Sequence, residues 1–432
     1  MKYSIITFGC QMNISDSERI AKVLEDIGFT ESASFENANL IIINACSVRQ
    51  SAIDRVYGKI RKLSFETAKS TDTDGKPKIL LTGCILKKDK IKFRKDCNGI
   101  FGIDELPKLP NLLKKLGFKI KENNKKVEHY LQISPEYQSN ISACVPIMTG
   151  CNNFCAYCVV PYVRGREISR PEEDILCEIK ALGKRGIKEI WLLGQNVNSY
   201  KPNFAKLLQK VNNIPGNFWI RFTSTHPKDL TDEMIETFAQ SEKVTPYFNL
   251  PIQSGDDEML KAMNRPYTVK KYETLIKKSR NAFKKYREGI EEELSLSTDI
   301  IVGFPGETKK HFENTVKTFK KINVAFAYIS LYSPRPQTTA FELKDDISHA
   351  EKKQREKKLL EIIEKSSLEF NKKFINKIVD VLILKKKKDF YLGKTRHYQT
   401  IRFASNSGCK VGEFIKAKVT KATPYGLEGK IQ

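Results

Sequence analysis

Short apolar, β-branched runs alternate with amphipathic helical segments through most of this chain, and this alternation limits its fold more than any other feature. Near the N-terminus Tyr3–Phe8, Leu40–Asn44 and Lys78–Thr82 have the composition of buried strands, with helices predicted at 15–27 and around 49–63. Strands that alternate with helices form parallel sheets with right-handed crossovers. The sequence therefore predicts an N-terminal α/β domain built on a parallel sheet.

Two polar stretches separate these elements from one another and from the central part of the chain. Residues 64–77 are rich in Ser, Thr, Asp and Gly, a composition typical of a loop. Residues 111–126 are polar and Lys-rich, and we predict a linker that continues to Gln138. The first domain is accordingly predicted to span residues 1–118.

The alternation resumes in the central part of the chain, over residues 138–369. Six strands are predicted there, at Ala143–Met148, Glu189–Leu193, Trp219–Thr223, Tyr247–Leu250, Leu294–Val302 and Phe326–Leu331. Helices between them are predicted at Glu172–Gly183, Asp232–Gln240 and Lys309–Lys321, and a long charged helix, Ser348–Phe370, leads out. Repeated strand–helix units of this kind predict a whole or partial (β/α) barrel, with its chemistry at the carboxyl ends of the strands.

The last 63 residues, 370–432, differ from the rest in composition and charge. Short strands are predicted at Val379–Leu384, Gln399–Phe403 and Phe414–Thr420, before an end punctuated by Gly426 and Gly429, which together indicate a small antiparallel β unit. This segment holds 15 Lys and Arg against 4 acidic residues, in a chain of 432 residues with a formal net charge of +24. A charge excess so localised favours a polyanionic partner, although a charge run is also typical of a merely solvated face.

The ten cysteines require an explanation that suits a reducing compartment. No apolar run approaches the ~18 residues of a membrane helix, and the apolar stretch at the N-terminus is too short for a secretory signal. We therefore expect a cytoplasmic protein, where thiols stay reduced and a disulfide framework is not favoured. Cysteines in such a chain point to metal binding or catalysis.

Three of the cysteines form a C-x3-C-x2-C run, Cys151, Cys155 and Cys158, directly after a predicted strand. Three thiolates on a short loop can hold three irons of a [4Fe–4S] cluster and leave the fourth iron open to a substrate. Structural zinc is the alternative, but it needs four ligands, and His226 is a distant candidate for the fourth. The polar residues around the run argue against three cysteines that merely pack in a core.

A second set is dispersed: Cys10, Cys46 and Cys84 each follow one of the first three strands. In a parallel sheet these positions lie at one carboxyl edge, where α/β proteins place their sites. The set can ligate a second cluster, again with one iron open; a small buried hydrophobe is the alternative for any one of them. The other four, Cys97, Cys144, Cys177 and Cys409, show no spacing that suggests a site.

The motifs around these cysteines make the chain recognisable. It resembles the radical-SAM methylthiotransferases over nearly its whole length, in TFGCQMN, NACSVR, GCILKK, GCNNFCAYCVVPYVRGREISR, GQNVNSY, LPIQSGDDEMLKAMNRP, STDIIVGFPGET and YSPRPQTTA. The resemblance implies an N-terminal methylthiotransferase domain, a radical-SAM core and a C-terminal TRAM domain, a small antiparallel β-barrel that is used for RNA. The third cysteine motif departs from the family pattern, because Ile85–Lys88 replaces the usual small residue, Gln and basic residue.

The resemblance also implies a mechanism and its cofactors. Cys151, Cys155 and Cys158 would hold the [4Fe–4S] cluster that binds and cleaves S-adenosylmethionine (SAM), and Cys10, Cys46 and Cys84 an auxiliary [4Fe–4S] cluster that carries the sulfur. One SAM would methylate that sulfur and a second would supply the radical that abstracts hydrogen from C2 of N(6)-dimethylallyladenosine beside the tRNA anticodon. Candidate SAM contacts follow the barrel strands or lie in the cysteine loop: Tyr157, Gly194, Gln195, Gln253 and Ser254. Simple strand-to-helix turns are the alternative for Gly/Pro segments such as 303–306.

The C-terminal domain is interpreted as an RNA-binding surface. Basic residues there are interleaved with Tyr391 and Tyr398, as in surfaces that combine phosphate contacts with base stacking. The candidates are Lys385, Lys386, Lys387, Lys388, Lys394, Arg396 and Arg402. We expect removal of residues 370–432 to cripple tRNA binding and to leave SAM cleavage intact. Partners are expected to be tRNA carrying dimethylallyladenosine and an electron donor such as a flavodoxin or ferredoxin, with the chain itself a monomer.

Besides a zinc-dependent tRNA-binding protein, which about eight irons per reconstituted chain would exclude, two other functions remain open at this point. One is a sibling methylthiotransferase that acts on threonylcarbamoyladenosine in tRNA or on a ribosomal protein, and the basic C-terminal domain argues against the protein-modifying sibling. The other is a non-catalytic RNA-binding protein with an iron–sulfur redox sensor. Reductive cleavage of SAM to 5′-deoxyadenosine separates an enzyme from a sensor.

Overall fold

The computed structural model describes residues 1–68, 76–122, 127–404 and 408–432, with the backbone alone at 64–68. The chain forms two compact units, each made of several segments. Unit 1 comprises Met1–Gln138, Met148–Arg170 and Ser333–Glu342; unit 2 comprises Ser139–Ile147, Pro171–Tyr332 and Leu343–Gln432. No described helix is both long enough and apolar enough to cross a membrane.

Unit 1 is built on a five-stranded parallel sheet of order β2-β1-β3-β4-β5. Its strands are β1 (Lys2–Thr7), β2 (Thr30–Glu31), β3 (Leu40–Cys46), β4 (Lys78–Cys84) and β5 (Gly99–Ile100). Its first helices are α1 (Gln11–Asp26), α2 (Gln50–Ala68), α3 (Lys87–Phe93) and α4 (Leu109–Lys115). The predicted parallel α/β domain is therefore confirmed.

Both faces of this sheet are buried, which explains the continuous apolar runs in its strands. In β3, Leu40 and Ile42 join the core cluster that contains α1 and α4, while Ile41 and Ile43 join the one that contains α2 and Phe93 of α3. Alternate residues of a strand thus serve opposite layers. The dispersed cysteines lie at the edge of the sheet where β1, β3 and β4 end.

Two polar stretches were misjudged by composition. α2 continues to Ala68, into the stretch predicted as a loop; residues 69–75 of that loop lie outside the described part. The predicted linker contains most of α4, and Leu113, Tyr130 and Leu131 are at most 1% exposed in the core of unit 1. Residues 123–126 lie outside the described part. The lysines of the predicted linker made it look polar, although it also contains apolar residues at helical spacing. The burial of those apolar residues decides its structure.

A smaller part of unit 1 carries the C-x3-C-x2-C run of cysteines. β7 (Met148–Thr149) and β8 (Ile168–Ser169) pair antiparallel and bracket the loop and α5 (Val160–Arg164). Short 3-10 helices at Ile103–Lys108, Tyr130–Gln132 and Thr339–Glu342 complete the unit.

Unit 2 contains six parallel strands in sequential order. β6 (Ser142–Pro146), β9 (Glu189–Leu193) and β10 (Trp219–Phe222) form one sheet, and β11 (Tyr247–Asn249), β12 (Ser295–Val302) and β13 (Phe326–Leu331) another. A parallel bridge between Ile220 and Val244 continues the first sheet toward the second. This is the expected partial (β/α) barrel, and β9 and β13 have the predicted bounds.

The helices of unit 2 connect these strands or lead out of them. They are α6 (Glu172–Arg185), α7 (Phe204–Asn212), α8 (Asp232–Gln240), α9 (Asp257–Ala262), α10 (Val269–Tyr286), α11 (Lys309–Ile322) and α12 (His349–Lys372), with 3-10 turns at Val197–Ser199 and Gly289–Glu292. Between the strands and helices Phe204, Phe222, Phe238 and Phe248 form an aromatic cluster with ring centroids 4.6 to 6.3 Å apart.

The C-terminal segment closes into a five-stranded barrel of order β14-β15-β16-β18-β17. Its strands are β14 (Ile378–Lys386), β15 (Phe390–Thr395), β16 (Thr400–Ala404), β17 (Phe414–Thr423) and β18 (Gly426–Ile431). The predicted small barrel is confirmed, with one parallel pairing, β16 with β18, among antiparallel ones. β15 was not predicted, because Gly393 and Lys394 interrupt the apolar residues of that strand.

Candidate cysteine centres and the basic C-terminal surface

The dispersed cysteines come together at the carboxyl edge of the unit 1 sheet. Cys46 and Cys84 are register partners at the ends of β3 and β4. Cys10 follows β1, which pairs with β3 as far as Thr7 and Asn44. Cys10 is exposed, Cys46 is half-buried and Cys84 is buried. The three thiols therefore lie along one edge of the sheet, and their burial increases from Cys10 through Cys46 to Cys84.

Glycines before two of these cysteines permit the backbone turn. Gly9 and Gly83 have φ of +127° and +101°, where side chains are disfavoured. A Cβ on Gly9 would come within 3.0 Å of Cys46 Cβ, and one on Gly83 would collide with the Ala45 carbonyl. The strand ends approach each other so closely that only glycine fits.

Two asparagines that the sequence analysis did not single out hold this edge together. Asn13 Nδ2 donates to Asn44 Oδ1 at 3.0 Å and to the Ala45 carbonyl at 3.1 Å. Asn44 Nδ2 donates in return to the Asn13 carbonyl at 2.8 Å, and the Cys10 thiol donates to Asn13 Oδ1 at 3.5 Å. Both asparagines are fully buried, so this network positions Cys10 beside Cys46. Their place within TFGCQMN and NACSVR was the available signal.

The electrostatics of the edge are set by burial and by one arginine. Burial raises the pKa of the Cys84 thiol to about 11, and the Arg164 guanidinium opposes that rise. Burial also raises the pKa of Cys46. Thiols of this kind are protonated at neutral pH, and a bound metal would displace their protons.

The C-x3-C-x2-C set, Cys151, Cys155 and Cys158, lies on a tight loop between β7 and α5. Gly150 has φ of +77°, and a Cβ there would collide with the Arg166 carbonyl. The Cys151 amide donates to the Gly165 carbonyl at 3.2 Å, and the Cys158 amide to the Cys155 carbonyl at 2.9 Å. The ends of the loop are therefore tied together, with Tyr157 half-buried between the last two cysteines.

Each cysteine set supplies three thiols, which is the donor chemistry that an iron–sulfur cluster uses. Within the described ranges, no group of three or more His, Cys, Asp or Glu side chains is arranged to hold one metal ion. A cubane cluster places each thiolate on a different iron, so its ligands do not converge on one point. Structural zinc does require such convergence, by four ligands.

His226, the distant candidate for a fourth zinc ligand, is a neutral ring in unit 2. Burial lowers its pKa to about 2, and Nδ1 accepts from the Lys228 amide at 3.1 Å. The His226 backbone amide donates to Asn198 Oδ1 at 2.8 Å, and Asn198 Nδ2 donates to the His226 carbonyl at 2.9 Å. Nε2 therefore carries the proton, and it meets no hydrogen-bond partner in the described part of the chain. A ring with this tautomer presents a donor rather than a metal ligand.

The candidate SAM residues of unit 2 follow its strands, with different surroundings. Gly194 and Gln195 come directly after β9, and Gln195 Oε1 is buried without a hydrogen-bond partner among the described residues. Gln253 bridges to Ile300 with φ of +72°. Ser254 is 1% exposed and its Oγ accepts from the Asp256 amide at 3.3 Å. Ser254 thus stabilises the turn into α9, whereas Gln195 has an acceptor to offer a ligand.

The candidate basic residues of the C-terminal barrel divide into an exposed group and a half-buried group. Lys385, Lys386, Lys387, Lys388 and Arg402 are exposed. Lys387 and Arg402 lie over the Phe390 ring, at 5.8 and 4.3 Å from its centroid, and Lys386 lies 5.3 Å from that of Tyr391. This exposed group places cations over the half-buried Phe390 ring, whereas the two tyrosines predicted for base stacking are not available: Tyr391 is 4% exposed and Tyr398 packs on Tyr247.

The other two basic candidates are engaged within unit 2 instead, Arg396 with its (β/α) part and Lys394 with Tyr398 of the barrel segment. Arg396 forms an ion pair with Glu291 at 3.1 Å and donates to the Glu242 carbonyl. Lys394 Nζ donates to the Tyr398 carbonyl at 3.0 Å and lies 4.1 Å from that ring's centroid. Their side chains are therefore engaged within the fold.

Lys394 has a pH signature that tests this placement. Burial lowers its pKa to about 8, against about 10.4 in an unfolded chain. Between those values the unfolded chain binds more protons, so this group makes the stability rise with pH. Relative to Lys394→Met, the wild-type protein is expected to gain stability from pH 8 to 10 in urea unfolding, and to show a constant difference below pH 7. A difference that stays flat to pH 10 would place Lys394 in solvent.

Comparison with known proteins identifies the superfamily to which this chain belongs. Residues 145–319 match the model of the radical SAM superfamily, and residues 2–102 that of uncharacterized protein family UPF0004. The fold agrees: a solved structure of the radical S-adenosylmethionine methyltransferase TsrM from Kitasatospora setae superposes with a TM-score of 0.55 at 13% identity, over 78% of this chain and 74% of that one. The protein is a radical SAM enzyme, with SAM and a [4Fe–4S] cluster as its cofactors.

The full-length relatives narrow the class. The chain is 40% identical to the tRNA-2-methylthio-N(6)-dimethylallyladenosine synthase of Carboxydothermus hydrogenoformans, over 99% of this chain and 98% of that protein. It is 38% identical to the enzyme of the same name from Clostridium botulinum strain Langeland, over 99% and 96%. The chain belongs to the tRNA-2-methylthio-N(6)-dimethylallyladenosine synthase family, whose members transfer a sulfur-containing group.

The unusual segment after Cys84 has a structural explanation. Ile85 and Leu86 are 4% and 0% exposed, and Ile85 packs in the core cluster with Ile53 and Phe93. The departure from the family pattern thus places apolar side chains in the core of unit 1, while Cys84 keeps its place at the end of β4.

Proposed function

We propose that this enzyme inserts a methylthio group at C2 of N(6)-dimethylallyladenosine beside the anticodon of tRNA, in the cytoplasm, with two SAM molecules and two [4Fe–4S] clusters. The observation that carries the proposal is the presence of two separate sets of three cysteines in unit 1, one along the sheet edge and one on the loop after β7. Full-length similarity to enzymes named for this nucleoside supports the substrate.

Each set fits a cluster that keeps one iron free of protein ligands. Cys151, Cys155 and Cys158 would hold the cluster that binds SAM, and Cys10, Cys46 and Cys84 the auxiliary one. When bound, the clusters supply the electron that cleaves SAM to a carbon radical and the sulfur that is transferred. One SAM would supply the methyl group and leave S-adenosylhomocysteine. Reductive cleavage of the other would leave methionine and the radical that becomes 5′-deoxyadenosine with the hydrogen of C2.

The protein's own residues position these groups and exclude water. The Asn13–Asn44 network fixes the spacing of Cys10 and Cys46, and burial of Cys84 keeps solvent from the inner end of the edge. The hydrogen bonds donated by the Cys151 and Cys158 backbone amides hold the thiols of this loop in one short turn.

The candidate SAM contacts have separate roles. Tyr157 is the candidate in the cysteine loop of unit 1. In unit 2, Gly194, Gln195 and Gln253 are the candidates at the ends of their strands, and Ser254 shapes the turn into α9.

The reaction can be tested directly with reconstituted protein. Anaerobic incubation with SAM, a reductant such as a flavodoxin system and tRNA carrying dimethylallyladenosine is expected to yield its 2-methylthio derivative. tRNA carrying threonylcarbamoyladenosine is the matched substrate that should remain unchanged. Conversion of the second tRNA alone would favour the sibling activity, and absence of 5′-deoxyadenosine with either would favour a sensor. Iron analysis should give about eight irons per chain, as two cubane clusters require.

Neutralisation of the lysine run tests the RNA surface. Replacing Lys385, Lys386, Lys387 and Lys388 with Gln is expected to weaken tRNA binding by about tenfold or more. The slope of log affinity against log salt should also become shallower, by about one for each phosphate that the variant no longer neutralises. Fluorescence anisotropy with labelled tRNA across a salt series measures both quantities.

The control for that experiment removes the same charge elsewhere. Lys270, Lys271, Lys277 and Lys284 are exposed on α10, and their replacement with Gln should leave the affinity within about twofold of wild type. Equal losses from the two quadruple variants would mean that net charge, rather than this surface, attracts tRNA.

A further inference from the structure

Arg164 joins the two cysteine sets of unit 1. It ends α5, six residues after Cys158, and its side chain is only 2% exposed. Its Nε donates to Cys84 Sγ at 3.0 Å, and its Nη2 donates to Asp16 Oδ2 at 2.6 Å. The segment that carries Cys151, Cys155 and Cys158 therefore also carries a cation, Arg164, that contacts the Cys84 thiol of the other set.

The surroundings of this contact contain further unused hydrogen-bonding atoms. Arg164 Nη1 and Asp16 Oδ1 are buried and have no partner among the described residues. The same holds for Ser47 Oγ, next to Cys46, and for Thr82 Oγ1, two residues before Cys84. Buried donors without partners are costly unless a bound group accepts from them. The arginine and the two hydroxyls are donors of the kind that cluster sulfur atoms accept from.

The position of the guanidinium has a definite electrostatic consequence. Hydrogen bonds to ligand sulfur, and positive charge beside a cluster, stabilise the more negative, reduced state and raise the reduction potential. Burial strengthens that effect, because water does not screen the charge. Asp16 offsets part of the charge but also fixes the guanidinium, through a short charge-assisted bond.

We propose that Arg164 is a positioning residue that keeps Cys84 in place against the loop of the other cysteine set and makes the auxiliary cluster easier to reduce. This inference rests on the proposed function, since it assumes that Cys10, Cys46 and Cys84 hold a cluster. A buried ion pair with Asp16 that serves folding alone is the competing explanation. The reduction potential distinguishes the two, because a purely structural pair leaves it unchanged.

The experiment isolates the auxiliary cluster in the full-length, anaerobically reconstituted protein. Cys151, Cys155 and Cys158 are replaced with Ala, and the potential of the remaining cluster is measured by a redox titration followed by electron paramagnetic resonance. In this background Arg164→Met with Asp16→Asn removes the charge pair without leaving a buried charge unpaired. Arg164→Lys keeps the charge, and Lys92→Gln removes an exposed lysine of α3 as the matched control.

The expected result is a shift of the midpoint potential to more negative values in the Met/Asn variant, a smaller shift in Arg164→Lys, and none in Lys92→Gln. A cluster that loads fully and keeps the parent potential in both Arg164 variants would overturn the inference. If the background variant itself binds no iron, the assignment of Cys10, Cys46 and Cys84 is wrong, and the proposed function fails before Arg164 is tested.

Discussion

Cys155→Ala is expected to abolish both products of the enzyme, whereas Cys46→Ala is expected to abolish only one. Loss of a thiol from the C-x3-C-x2-C loop removes a ligand of the cluster that binds SAM, so 5′-deoxyadenosine should fall at least about a hundredfold. Loss of Cys46 affects the sheet edge alone, so SAM cleavage should continue while the methylthio product disappears. Chromatography of the anaerobic reaction measures 5′-deoxyadenosine and the modified nucleoside in the same sample.

The control for this comparison is Cys177→Ala, an exposed cysteine in α6 that belongs to neither set. Both products should persist in that variant at wild-type rates. If Cys46→Ala retains the methylthio product, or loses SAM cleavage as completely as Cys155→Ala, the division of labour between the two sets is wrong.

Arg221→Met is expected to destabilise the protein strongly, by about 3–5 kcal/mol, since it leaves a buried carboxylate unpaired. Arg221 is fully buried and its Nε donates to Glu189 Oε1 at 2.6 Å. Its two other nitrogens donate to the Arg396 and Thr395 carbonyls at 2.8 and 2.9 Å. The side chain thus joins β9 and β10 to the C-terminal barrel. Urea unfolding followed by circular dichroism measures the loss.

An exposed ion pair provides the comparison for Arg221. Lys278 and Asp232 lie 2.7 Å apart, with side chains 50% and 68% exposed. Lys278→Met should change the stability by no more than about 1 kcal/mol, because solvent screens such a pair. Similar losses from the two variants would show that the contact of Arg221 with the barrel is not a buried anchor.

The contact of Arg221 with the C-terminal barrel also affects how a truncation of residues 370–432 can be interpreted. Tyr398 stacks on Tyr247 with ring centroids 4.6 Å apart, and Phe414 packs on Trp219 at 4.8 Å. Removal of residues 370–432 would uncover these rings and leave Arg221 without its carbonyl acceptors. We therefore expect the truncated chain to lose stability as well as RNA binding, and the lysine-run variant is the sharper test of the RNA surface.

Features that depend on local pattern were predictable from the sequence. β9 and β13 have the predicted bounds because apolar, β-branched and aromatic runs mark buried parallel strands over a few residues. The cysteine edge was predictable for the same reason, since the carboxyl ends of consecutive parallel strands meet at one edge.

Features that depend on contacts between distant residues were not predictable. Arg164 meets Cys84 across 80 positions and Arg221 meets Arg396 across 175, and no local pattern distinguishes these arginines from solvated ones. Arg396 and Lys394 were grouped with the RNA-binding residues because sequence shows charge but not which face of a barrel strand packs against the core. The predicted linker was wrong because its lysines hid an apolar face.

The central claim, that this enzyme adds a methylthio group to dimethylallyladenosine in tRNA, is tested most directly by nucleoside mass spectrometry of tRNA from cells with and without the protein. We expect 2-methylthio-N(6)-dimethylallyladenosine to disappear and N(6)-dimethylallyladenosine to accumulate in its place, with restoration by the wild-type protein and not by Cys155→Ala. An unchanged nucleoside profile, or loss of the methylthio group from threonylcarbamoyladenosine instead, would contradict the claim.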